Sequence, residues 1–114
     1  MKIFGVSQSS GVERQLKIER GIDGVVLTLT DTVGLFERGW IKVPGEHLVT
    51  AITEPSPGGS TIEGILQPKG GRMTLDVEVR RNEVWLSVHP GDGADIAVGY
   101  DDLQDALEGV INRT

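Results

Sequence analysis

Short runs of alternating apolar and polar residues fill most of the chain, and a period of two marks a half-buried strand. Leu16-Lys17-Ile18-Glu19-Arg20 alternates, as does Val25-Val26-Leu27-Thr28-Leu29-Thr30 with Val25, Leu27 and Leu29 as the inward set. Between them, Gly21-Ile22-Asp23-Gly24 predicts a hairpin, because Asp and Gly both tolerate positive φ. Thr74-Leu75-Asp76-Val77-Glu78-Val79-Arg80 is the cleanest alternation, turning through Arg81-Asn82-Glu83 into Val84-Trp85-Leu86-Ser87-Val88. These patterns predict antiparallel hairpins with one buried and one wet face.

Two stretches switch to helical spacing. From Tyr100 to Asn112, the residues Leu103, Ala106, Leu107, Val110 and Ile111 fall on one stripe. Asp101, Asp102 and Asp105 lie near its start, where the helix dipole favours negative charge. From about Gly45 to Thr53, Leu48, Ala51 and Ile52 share a side until Pro55 ends the helix. Pro55-Ser56-Pro57-Gly58-Gly59-Ser60 then has linker composition, close to the middle of the 114 residues.

That midpoint invites a comparison of the two halves. Ile3-x-Gly5-Val6-x-Gln8 matches Ile62-x-Gly64-Ile65-x-Gln67, and Leu16-x-Ile18-x-Arg20 matches Val77-x-Val79-x-Arg81. Val25-x-Leu27-x-Leu29 matches Val84-x-Leu86-x-Val88, and Ile41-x-Val43 with Leu48 and Ala51 matches Ile96-x-Val98 with Leu103 and Ala106. The offsets run 59, 61, 59 and 55, changing at predicted turns. The expected fold is therefore α+β: two tandem pseudo-symmetric β-β-β-β-α repeats, antiparallel sheets with helices sharing one core. The chain reads as a single domain over 1–114, with repeats at 1–55 and 61–114 and a linker at 55–60. A four-stranded sheet with one apolar face needs more cover than one short helix supplies, and a second unit would provide it.

Composition narrows the function. Hydrophobic residues make up 38% and charged residues 25%, ordinary values for a globular protein. A net charge of −6 argues against gripping a phosphate backbone by net charge alone. With zero cysteines there is no disulfide scaffold, thiolate metal site or Cys nucleophile. No segment reaches the ~20 apolar residues of a membrane span, and Met1 to Gln8 lacks the apolar run of a signal peptide, so a cytoplasmic protein is expected. His47 and His89 lack metal-ligand spacing, and Gly58-Gly59-Ser60 lacks the lysine of a phosphate loop. In His89-Pro90-Gly91-Asp92-Gly93-Ala94-Asp95 only Asp92 and Asp95 offer oxygen ligands, so a turn is expected there and no calcium loop. Neither catalysis, a metal nor a cofactor is expected.

A tandem four-strand-plus-helix unit of this length resembles the single-stranded nucleic-acid binders that include the purine-rich-element-binding (PUR) repeat proteins, the Whirly proteins and the transcriptional positive cofactor four. The likeness to the PUR repeat rests on Leu16-Lys17-Ile18-Glu19-Arg20, Gly24 and Gly39-Trp40-Ile41-Lys42-Val43, with Leu75-Asp76-Val77-Glu78-Val79 in the second half. It implies an intertwined pair of repeats that binds single-stranded DNA or RNA across exposed sheet faces, commonly as an oligomer.

Alternation sends Lys17, Glu19, Val26, Thr28, Thr30, Trp40 and Lys42 outward on the first sheet. Lys17, Thr28, Trp40 and Lys42 form a stacking platform in this reading, with Arg14, Arg20 and Arg38 at its rim for phosphates. On the second sheet Trp85 and His89 stand beside Arg80, yet Asp76 and Glu78 share that face. Residues 1–56 carry six basic and seven acidic side chains, whereas 57–114 carry five and ten, which leaves the first half as the binder. Exposed Trp40 and Trp85 faces also favour a homodimer. The alternative is an acidic module for protein–protein interaction or homo-oligomerisation.

Overall fold

A computed structural model describes residues 2–8, 10–22, 24–31, 36–66, 70–89 and 95–111; the side chains at 31, 36–40 and 66 lie outside that description. Ten elements follow one another: β1 (Lys2–Val6), β2 (Glu13–Gly21), β3 (Gly24–Asp31), β4 (Phe36–Val43), α1 (Gly45–Thr53), β5 (Ser60–Leu66), β6 (Arg72–Arg80), β7 (Glu83–His89), β8 (Asp95–Gly99) and α2 (Tyr100–Ile111). Every strand pairs antiparallel with its neighbours in sequence, and β8 pairs back onto β1, so all eight form one closed barrel.

Closure overturns the expected pair of sheets with helices sharing one core. Alternation says which residues face inward, but it does not say whether the outermost strands stay open. Here β4 joins β5 through Ile41↔Leu66 and Lys42↔Ile65, and β1 joins β8 through Gly5↔Val98 and Val6↔Ala97. These two narrow seams turn what would be two four-stranded sheets into a single wall without free edges along its circuit.

The register also corrects the internal alignment. Gly5 pairs with Arg14 and Gly64 with Met73, which sets Leu16 against Leu75 and Ile18 against Val77. The offset in that block is thus 59, two residues less than the sequence match suggested.

Eight strands enclose a space just wide enough for side chains to fill. Leu16, Ile18, Leu27, Ile41, Leu75, Leu86 and Ile96 fill it from the wall, and Leu48, Ile52, Leu103 and Leu107 from the helices, all in one cluster. Each helix reaches across the molecule: α1 packs against β5, β6 and α2, while α2 packs against β1, β2, β7 and β8. The Tyr100 hydroxyl donates to the Ile52 carbonyl at 3.1 Å, tying the helices together, and its backbone N–H donates to Asn82 O at 2.7 Å.

Candidate nucleic-acid interface

The predicted platform divides once the register is known. Lys17 sits on β2 directly opposite Thr28 on β3, with Lys42 two rows further along on β4 opposite Val26. These three share the outer face of the first half. Lys17 Nζ reaches Glu19 at 3.2 Å, and Thr28 is buried.

Trp40 falls at an irregularity. Leu27 pairs with Ile41 and Thr28 with Gly39, so Trp40 is the extra residue of a β-bulge, and simple alternation cannot assign its face. Its side chain and that of Arg38, which pairs with Leu29, lie outside the described residues.

Arg14 and Arg20 have the parity of Leu16 and Ile18, and therefore sit at the two ends of the core-facing row of β2, apart from Lys17. Arg14 is committed to the β1–β8 seam. Its Nη1 donates to the Asp95 carbonyl at 2.9 Å and lies 3.7 Å from the Asp95 carboxylate, with only 14% and 16% of the two side chains exposed. That carboxylate also accepts from Ser7 Oγ at 2.9 Å and from the Gln8 backbone N–H at 2.8 Å. Arg20 is exposed beside the β2–β3 hairpin.

The second outer face is largely self-satisfied. The Arg80 guanidinium lies 3.8 Å above the Trp85 ring, held there by Glu78 at 2.8 Å, and Trp85 Nε1 donates to Glu83 at 3.2 Å. A ring capped by an intramolecular cation has no open face on that side for a base. Asp76 is 2.9 Å from His89 Nε2 and accepts from Thr61 Oγ1 at 3.0 Å.

The residue that sequence reasoning passed over is Phe4. It is 69% exposed on the outer face of β1, between Lys2 and Val6 on the same strand. Lys2 lies directly opposite Lys17, and Phe4 directly opposite Gln15, which makes Phe4 and Lys17 diagonal neighbours. Diagonal neighbours are about 7–8 Å apart and within reach of aromatic and long side chains. The parity of Lys2-Ile3-Phe4-Gly5-Val6 carried this signal.

Among the described residues, no group of three His, Cys, Asp or Glu side chains is placed to hold a metal, and no helix is long and apolar enough to cross a membrane. Asp92, Gln67 and Asp23 lie outside the described residues. Fold and site together define a small closed antiparallel barrel with Phe4 exposed on one outer face beside Lys2 and Lys17. Compared with known protein families, with curated proteins and with solved structures, the chain matches none.

Proposed function

We propose that the outer face of β1–β4 binds single-stranded nucleic acid without enzymatic turnover, stacking a base on Phe4 while Lys2, Lys17 and Lys42 attract phosphates. The exposure of Phe4 beside the Lys2–Lys17 pair carries this reading. Lys17 already pairs with Glu19 at 3.2 Å, so a phosphate would share it with that carboxylate, and Lys2 and Lys42 supply the remaining positive charge on this face. The likeness of residues 16–20 and 39–43 to the PUR repeat points the same way, and a cytoplasmic setting goes with it. Thr28 would pack beneath the ligand, and Trp40 and Arg38 belong to the same strand. Trp85, capped by Arg80, and Arg14, held by Asp95, leave the candidate set.

Fluorescence anisotropy with labelled single-stranded DNA and RNA at low salt, against duplex controls, tests the reading. Counterion release at three lysine–phosphate contacts should make affinity fall with salt at a log–log slope of about −2, while the net charge of −6 opposes approach. Phe4→Ala should weaken binding by about 1–3 kcal/mol, the contribution of one stacked base. Lys17→Ala should reduce the salt slope by about one unit. Absence of binding at high micromolar protein would end the proposal.

A second reading has one specific observation behind it. Phe4 and Val6 form an exposed apolar pair on β1, suited to a homodimer or another protein partner. Light scattering that shows a dimer dispersed by Phe4→Asp, with no oligonucleotide binding, would favour it.

A further inference from the structure

Beyond Lys42 the two strands of the β4–β5 seam share no further pair among the described residues, and a cleft of about 840 Å³ opens there. Its floor is aliphatic, made by Val43, Pro44, Ile65 and Met73. Its mouth is cationic. Lys42, Ile65 and Arg72 are consecutive cross-strand partners over β4, β5 and β6, so the two cations flank Ile65. Strand spacing of about 4.8 Å places their backbones roughly 10 Å apart, within bridging reach of one small anion.

Most described cations elsewhere on the wall are committed: Arg14 to Asp95, Lys17 to Glu19 and Arg80 to Glu78. Among the described residues, Lys42 and Arg72 have no ion-pair partner, although the half that contains Arg72 is strongly acidic. Among the described residues Glu63 is the one carboxylate in the cleft, and His89 on the far wall is held by Asp76 at 2.9 Å. Among the described residues, no Phe, Tyr or Trp lines it.

We infer that this cleft is a binding site for a small soluble amphipathic anion, an aliphatic carboxylate whose chain lies on Ile65 and Met73 and whose head group lies between Lys42 and Arg72. The chain gains by leaving water against an aliphatic floor, and the head group gains charge-assisted hydrogen bonds that an uncharged analogue lacks. The volume falls within the range of ordinary ligand pockets, about 300–1,000 Å³. The site is separate from the nucleic-acid proposal except that both use Lys42, so the test relies on other residues.

Isothermal titration calorimetry of the whole chain with octanoate should show one saturable site. Arg72→Ala should weaken it about tenfold, the worth of one charge-assisted hydrogen bond, and 1-octanol should bind at least as much more weakly than octanoate. Glu63→Gln should tighten it, because the carboxylate repels the head group. In the same Arg72→Ala protein, oligonucleotide binding should match wild type. No saturable heat, equal binding of 1-octanol, or an Arg72→Ala protein with unaltered octanoate affinity would overturn the inference. Loss of oligonucleotide binding in Arg72→Ala would also overturn it, by assigning the cleft to nucleic acid.

Discussion

At the β1–β8 seam two residue pairs and Gly5 bring the strands together, and at the β4–β5 seam two pairs and Gly64 do the same. A Cβ on Gly5 would overlap the Ala97 carbonyl oxygen, and one on Gly64 would lie 2.7 Å from the Lys42 carbonyl oxygen and from Ile41. Backbone approach therefore makes the same demand at both places. Side chains then finish the seams differently. The first is clamped by the Ser7–Asp95–Arg14 network, whereas the second parts into an aliphatic cleft under two unengaged cations. Closing the barrel requires the glycines, but among the described residues the polar clamp is seen at the first seam, and the second opens into the cleft.

The comparison can be broken most severely at the glycines. Gly5→Val and Gly64→Val should each cost more than about 3 kcal/mol, since an overpacked seam has backbone and not a flexible side chain in the way. Urea denaturation matching wild type for either would show that close approach does not set the seam. Leu107→Ala removes a fully buried side chain beneath both halves and should cost about 2–5 kcal/mol by the same measurement. A loss below half of that range would mean that α2 is weakly docked.

Asp95→Ala should sharpen the contrast. It removes the carboxylate beside a largely buried Arg14, which keeps its bond to the Asp95 backbone carbonyl, and the acceptor for Ser7 and Gln8, so a loss of about 1–3 kcal/mol is expected. Arg72→Ala, its counterpart at the open seam, should stay within about 0.5 kcal/mol of wild type. Equal losses would erase the distinction between clamp and cleft. Between these two falls Arg80→Ala, which uncaps Trp85 at a partly exposed site and should cost about 0.5–1 kcal/mol. Iodide should then quench tryptophan emission more strongly than in wild type.

Much of the local structure was legible. Leu16, Ile18, Val25, Leu27 and Leu29 are buried as their alternation required, and Leu103, Ala106, Leu107 and Val110 are buried as their helical stripe required. Closure was not legible, because periodicity reports faces and says nothing about which outer strands meet. Gly5 and Gly64 were visible as a matched pair, yet their reason, a neighbouring carbonyl across a seam, belongs to tertiary structure.

The candidate site was legible only in part. Lys17, Thr28 and Lys42 do share an outer face. Trp40 escaped because one bulge residue resets the alternation on β4. Arg14 could have been separated from Lys17 by parity alone, but its commitment to Asp95, 81 residues away in sequence, could not be read. Phe4 was one step of parity away from recognition.

The crossing of the helices has a consequence for how the chain acquires its structure. Since α2 covers β1 and β2, and β8 is the partner that seals β1, the first 56 residues emerge during synthesis with their apolar interior uncovered. Contacts spanning some ninety positions must wait, and high contact order of this kind slows folding. Until residues 95–111 arrive, the nascent half presents an open strand edge to its neighbours on the polysome. A fragment ending at the Pro55–Ser60 linker should therefore aggregate instead of forming half a barrel, and mixing it with the complementary fragment should restore the solubility that neither has alone.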